Sequence, residues 1–496
     1  MSTSPGSLAA LVERSLWPLV ERLLATRAMA GVAVAVVHDD DVVARGFGVR
    51  DVRTGEPVTP QSLFHLASVS KPVVAEAVVS LATAPVTRGG RALDLDAPVT
   101  DWIPELSLAD GRQDEVTARR LLSHTSGLGD VSDYGWHDPQ LGDDALSDLA
   151  RSLAGWRLES DPDARFSYSN VGFELLGLLL SRLWRTTFED AVRRWPLLPL
   201  GMERSTFFRA EVPEHLAVSP HVGRPLVVPD DAYPYTRRHA PSSTLHSNVE
   251  ELCRWMAAHF APVPGARDDP WTRLDPALVE LVSQPVASIG EPPWDEETGL
   301  GWALGAFLGE RTLGHSGADP GFGSRVVVVP AQRTGVVVLA NSNTVPGSAI
   351  AAAALELVLT GEAGEHAAAL RDLRPPLVDP VAESLASVGA AAARATYDRL
   401  TAQEEDDVDP DDDEFADAVW GAIELHRTDL VRPLLGLWTD LRPDSSAAWT
   451  MTGWAHQVEG DTVEARRLLE RALELDPDNE DAALILSGVP AAGREG

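Results

Sequence analysis

The chain has 496 residues, 41 basic and 75 acidic, for a formal charge of −34, and 44% of it is hydrophobic. That charge excludes binding to nucleic acid or an anionic membrane through bulk electrostatics, and the apolar fraction is that of a globular protein with about two to four domains. A single cysteine, Cys253, excludes an intramolecular disulfide and a cysteine-based metal site.

At the N-terminus, Leu8, Val12, Leu16, Val20, Leu23 and Leu24 recur at helical spacing, with Pro18 as a kink or restart. Glu13, Arg14, Glu21 and Arg22 interrupt this stretch, so it does not read as a signal peptide. The longest apolar runs, such as Gly347–Val358, fall short of the ~18 residues of a membrane span. The expectation is a cytoplasmic protein. Gly31–Val37 and Val42–Val49 flank an Asp-rich turn and predict an antiparallel hairpin.

Next comes Ser68-Val69-Ser70-Lys71, after a loop and just before Pro72, a residue suited to a first helical turn. Lys71 is the only lysine; the other basic residues are arginines. Arginine cannot deprotonate in a protein, whereas a buried lysine can act as a base. On a helix, positions i and i+3 share a face, so the Ser68 hydroxyl and the Lys71 amine can meet, and a serine beside such an amine is an activated nucleophile. The alternative is an ordinary surface lysine that follows a serine.

Further along stand Leu121-Leu-Ser-His-Thr-Ser-Gly-Leu128, then Tyr168-Ser169-Asn170 ahead of an apolar helix over 174–184, then His315-Ser316-Gly317-Ala318. Arg325–Pro330 and Gly335–Asn341 predict a second, valine-rich hairpin, and 347–360 an Ala/Leu helix. Strands at both ends of this region with helices between them predict an α+β domain: an antiparallel sheet assembled from both ends, flanked by helices, with a mostly helical insertion.

These motifs, in this order, resemble the serine β-lactamase and penicillin-binding-protein-like superfamily, in the branch of class C β-lactamases, esterases and D-aminopeptidases. The resemblance covers residues from about 18 to 360. It implies Ser68 as nucleophile, Lys71 and Tyr168 as the groups that move protons, and no cofactor. It further implies that Asn170 holds Lys71 and a substrate carbonyl, and that the N–H groups of Ala318 and Ser68 form an oxyanion hole beside His315 and Gly317. His124 is expected to be architectural. His315 stands where many relatives carry lysine; a mostly neutral imidazole attracts a carboxylate less, which favours small esters or D-amino-acid peptides and amides over β-lactams. Ser242-Ser243-Thr244-Leu245 replaces a common Gly-Gly turn, which leaves the local backbone open. The competing readings are a true β-lactamase or DD-peptidase, and a non-catalytic binding protein on a hydrolase scaffold.

Beyond Pro375-Pro376 the composition changes: Glu404–Glu414 is nearly all acidic, the pattern of a linker. Trp449, Gly453, Ala465, Leu469, Ala472 and Pro477 are spaced as in a tetratricopeptide repeat, with a weaker copy at Phe415, Leu435 and Pro443. The expected layout is a hydrolase domain over 1–365, a helical and acidic linker over 366–411, and helical repeats over 412–490. The repeats are a candidate surface for a protein partner or for self-association.

Overall fold

Alternating valines and alanines drive the first unit's architecture. The computed structural model describes residues 7–27, 29–83, 93–131, 134–223, 226–260, 274–342, 344–402 and 412–488. The chain divides into two units, 1–221 with 230–373, and 222–229 with 374–496. In the first, eight strands form one antiparallel sheet: β1 (Gly31–His38), β2 (Asp41–Gly48), β3 (Ala287–Glu291), β4 (Asp295–Thr298), β5 (Ala303–Phe307), β6 (Glu310–Asp319), β7 (Phe322–Val329) and β8 (Thr334–Ala340). Their spatial order is β2-β1-β8-β7-β6-β5-β4-β3. β1 pairs with β8 from Val32 opposite Ala340 to His38 opposite Thr334, so the two ends of the unit close the sheet side by side, as expected.

The helices that matter for the site are α1 (Leu8–Ser15), α2 (Trp17–Thr26), α3 (Ser70–Thr83), α4 (Asn170–Trp184), α5 (Ala240–Ser243), α6 (Gly347–Thr360) and α7 (Glu365–Asp372). Side chains alternate across a strand, and here both faces are covered. Val32, Val34 and Val36 join Val336 and Val338 in a core with α1, α2 and α6. Ala33, Ala35 and Val37 join Val337 and Leu339 in the core under the helical insertion. Burial on both sides explains why these strands read as unbroken apolar runs. Pro18 falls in the first turn of α2, so it restarts the helix.

The start of the stretch expected as a linker contains α7. Glu356, the charge that interrupts the apolar run of α6, caps it: its carboxylate accepts from the backbone N–H groups of Gly364, His366 and Ala367 at 3.0, 3.3 and 3.2 Å. The first unit therefore runs on to residue 373.

The second unit is helical, with helices over Val378–Ser387, Ala390–Thr401, Asp412–Glu424, Thr428–Leu441, Ser446–Val458, Thr462–Leu475 and Glu480–Gly488. Phe415 and Trp438 stack at its centre with ring centroids 5.6 Å apart. A Cβ on Gly453 would come within 2.7 Å of Leu469, so glycine lets the pair Ser446–Val458 and Thr462–Leu475 close up. Of the acidic run 404–414, residues 404–411 lie outside the described residues, and Asp412–Glu414 open a helix.

Candidate active site

The Ser68 turn is built from backbone clamps. Leu66 N–H donates to Leu245 O at 2.8 Å, and Leu245 N–H donates to Ser70 Oγ at 2.9 Å. Ser324 Oγ, on β7, donates to Leu66 O at 2.6 Å. Ala67 takes φ = +47°, a left-handed conformation that strains a residue with a Cβ; such strain persists only where the surroundings impose it. The turn runs directly into α3, so Lys71 lies one turn beyond Ser68. Lys71 is wholly buried. Its Nζ donates to Ser68 Oγ at 2.9 Å and to the carbonyl of Ser242 at 3.0 Å. Ser68 itself is half-buried and opens on a cleft.

Tyr168 and Asn170 flank the start of α4. Ser169, between them, is the N-cap: its Oγ accepts from Gly172 N–H at 3.1 Å and donates to Gly129 O at 2.8 Å. Tyr168 is 38% exposed and presents its ring to Lys71, whose Nζ lies 4.8 Å from the ring centroid. No hydrogen bond joins the Tyr168 hydroxyl to Ser68 or Lys71 among the described residues. His124, in the left-handed region at φ = +56°, stacks on Tyr168 with centroids 4.4 Å apart. Its Nδ1 accepts from Ser169 N–H at 3.1 Å. Burial and the nearby charge of Lys71 hold His124 well below the usual imidazole range, so it is a neutral wall that fixes the tyrosine.

Asn170 is placed differently from the expectation. Its amide nitrogen donates to Asp130 at 2.7 Å and also meets the Tyr134 hydroxyl, and it makes no hydrogen bond to Lys71 among the described residues. A carboxylate is a strong acceptor for that N–H, and the amide is oriented by it. Lys71 instead takes its second partner from Ser242, within the stretch that replaces the Gly-Gly turn. Tyr134 donates to Asp130 at 3.0 Å, and burial holds its hydroxyl protonated.

β6 supplies the opposite wall. Its pairing with β5 ends at Gly314, opposite Ala303, so the edge from His315 to Asp319 is left open on the side that faces the Ser68 turn. Strand and turn meet backbone to backbone: a Cβ on Gly317 would lie 2.4 Å from Leu66 O and 2.9 Å from Ser68 N. Ala318 follows on the same edge, in register with Gly323 of β7. His315 donates from Nδ1 to the Ser316 carbonyl at 2.6 Å, and burial together with the charge of Lys71 pushes it down to about 3. It is therefore uncharged at neutral pH. Arg325 donates to Ser316 Oγ at 2.6 Å from behind the strand.

These walls enclose a cavity of about 330 Å³, lined by Ser68, Tyr168, His124 and His315 on one side and by Ile289, Glu291 and Thr298 of the β3–β4 hairpin on the other. The hairpin residues carry no local motif, and sequence reasoning missed them. Asp130 was missed too; its signal was its place two residues after the HTSGL segment. Cys253 is buried on a helix away from this cleft, and burial raises its thiol, which suits a packing residue.

A serine and a buried amine on adjacent turns, set against an open strand edge on an antiparallel sheet, define the serine β-lactamase/transpeptidase-like class. The chain belongs to the beta-lactamase family, whose family model matches residues 18–360. It is 38% identical over 237 residues to Esterase EstB of Burkholderia gladioli, spanning 45% of this chain and 57% of that protein. It is 30% identical to Penicillin-binding protein 4 of Amycolatopsis lactamdurans, over 63% of this chain and 80% of that one. Among solved structures, the octameric penicillin-binding protein homologue from Pyrococcus abyssi matches at 25% identity and TM-score 0.58, covering 75% of this chain and 81% of its own. A class C beta-lactamase shares the fold at 17% identity and TM-score 0.58, over 73% of this chain and 100% of its own. Members of this family are serine hydrolases. The family match stops short of the C-terminal helices, and the likeness of that pair to a tetratricopeptide repeat rests on residue spacing alone.

Proposed function

We propose that the protein is a serine hydrolase that acts through an acyl-enzyme on Ser68, on small neutral esters or D-amino-acid peptides and amides. The observation that carries this reading is the 2.9 Å contact between Lys71 Nζ and a Ser68 hydroxyl that opens on the cleft. In the form whose Lys71 amine is unprotonated, Ser68 Oγ bonds to the substrate carbonyl carbon while its proton passes to that amine. The oxyanion forms against the Ser68 turn and the open β6 edge at Ala318, where backbone N–H groups are the available donors. Collapse breaks the bond to the leaving group, which takes up a proton from Lys71 or Tyr168. Water then attacks the acyl carbon and gives a proton to Lys71, the bond from Ser68 Oγ to the acyl carbon breaks as Oγ takes that proton, and the carboxylic acid leaves. Tyr168 enters by a small rotation, as catalytic hydrogen bonds often tighten only with substrate bound.

The uncharged His315 supports a neutral substrate, since that position offers no cation to a carboxylate. Asn170, held by Asp130, keeps its carbonyl oxygen for the substrate or its leaving group. The C-terminal helix pairs are a candidate docking surface for a protein partner or a second copy of the chain. A panel of p-nitrophenyl esters, D-aminoacyl anilides and nitrocefin tests the substrate class, and fluorophosphonate labelling tests the nucleophile. Ser68→Ala should keep the fold and lose both labelling and turnover. Turnover at the parental rate in that variant would refute the assignment, and nitrocefin as the best substrate would favour a β-lactamase.

A further inference from the structure

Behind Lys71 lies a layer of polar groups that the acyl transfer does not use. Glu174, one turn into α4, is wholly buried. Its Oε1 accepts from the Ser242 hydroxyl and faces His239 Nδ1 at 3.2 Å. Its Oε2 has no hydrogen-bond partner among the described residues. A carboxyl sealed from water with one oxygen unsatisfied costs free energy that an apolar side chain would not. Burial accordingly raises the carboxyl above its ordinary range, against the opposing pull of His239 and Lys71. A leucine would fill the same place without that cost, so what the carboxyl contributes lies in what it holds.

It holds α5. One turn further along α4, a Cβ on Gly177 would lie 2.2 Å from the Pro241 ring, so that ring packs directly on the α4 backbone with no room for a side chain from α4. Glu174 and Gly177 are three residues apart and share a face. One fits α5 closely; the other grips its last turn through Ser242. Ser242 is thus bonded in two directions, by its hydroxyl to Glu174 and by its carbonyl to Lys71 Nζ at 3.0 Å. That carbonyl belongs to a helix end, where carbonyls lack partners within the helix, and Lys71 supplies one.

We infer that Glu174 is a positioning residue for Lys71, acting through Ser242: it anchors the carbonyl that fixes the angle at which the amine meets Ser68. This rests on Ser68 being the nucleophile. The test uses the full chain and measures the rate of Ser68 labelling by a fluorophosphonate, with kcat and KM on the best p-nitrophenyl ester. Ser242→Ala keeps the backbone carbonyl and removes its tether. Labelling rate and kcat should fall about tenfold, the scale of one hydrogen bond, with KM within about twofold of the parent. Glu174→Gln retains an acceptor for the Ser242 hydroxyl and should stay within about threefold. Glu174→Leu should match Ser242→Ala, and the double variant should lose no more than either single one. Should Glu174→Leu fail to fold, Ser242→Ala and Glu174→Gln decide. A Ser242→Ala protein that labels and turns over as the parent does, or whose loss lies in KM alone, overturns the inference. An unlabelled parent would instead overturn the nucleophile assignment, and this inference with it.

Discussion

Lys71 is the one side-chain amine in a chain that otherwise uses guanidinium. It is wholly buried between the Ser68 hydroxyl and the Ser242 carbonyl. Lys71→Arg keeps a charge but cannot release a proton near neutral pH, and its planar fork differs in shape from the compact ammonium buried here. Activity should fall at least ~100-fold, the lower end of what a positioned proton-transfer group contributes. Residual activity close to the parent's, in a kcat measurement, would mean that Lys71 supplies charge only. His315 poses the converse case, a strand position without a cation. His315→Lys should raise the ratio of kcat/KM for a carboxylate-bearing substrate over its neutral analogue. A charge-assisted contact is worth ~1.5–3 kcal/mol, and the open cleft places the gain at the lower end, about tenfold. An unchanged ratio would show that residue 315 does not face the ligand.

At the scale of elements, the site is a junction between a turn and a strand edge. Their spacing depends on Gly317, where an added Cβ would meet Leu66 O at 2.4 Å and Ser324 Oγ at 2.6 Å. The first is backbone and cannot move aside. Gly317→Ala should therefore push β6 away from Ser68 and cost ~100-fold in kcat, the scale of losing one oxyanion donor, while KM changes far less. Steady-state kinetics checks this, and a variant with parental kcat would place the oxyanion contacts elsewhere. The elements themselves were largely legible. The alternating valines of β1 and β8, the Ala/Leu run of α6 and the Pro18 restart follow local rules of periodicity and backbone restriction. The docking of α7 on α6 was not, because its cap is Glu356, which in sequence looks like a charge interrupting an apolar helix.

For the whole molecule, buried histidines set the response to acid. His124 is held well below the imidazole range by burial and by Lys71, and His246 by burial and by His65. Folded, both stay neutral; unfolded, each takes up a proton as pH falls through ~6.5. Protons thus favour the unfolded chain, so this share of stability is complete above ~6.5 and declines below it, by up to ~1.4 kcal/mol per pH unit for each histidine. Asp51 adds to the loss at lower pH. Its carboxyl is held down by Arg53, so its contribution is present above ~3.9 and disappears as pH drops towards the folded value. Urea midpoints at pH 7, 6 and 5 should fall steadily, and His246→Gln should flatten the trend. A parental midpoint unchanged from pH 7 to 5 would contradict the burial of these rings in neutral form.

That Ser68, Lys71, Tyr168 and the strand at His315 belong together was readable from the sequence by itself, and they line or border one cleft. Helical spacing joins serine to lysine, a single amine among arginines singles out Lys71 as the proposed base, and the ordered motifs carry the family. What only the tertiary structure decided is how those pieces are held. The Lys71–Ser242 bond joins residues 171 positions apart, and β1 meets β8 across the whole unit. The turn of Asn170 towards Asp130, the Glu174 grip on α5 and the hairpin wall of the cleft are likewise contacts between distant segments. Local periodicity reports which face of an element is apolar, but not which other element will cover it. Hydrogen-bond partners at the site are chosen by that second decision, through the requirement that each buried polar group be paired with whatever the packing brings near.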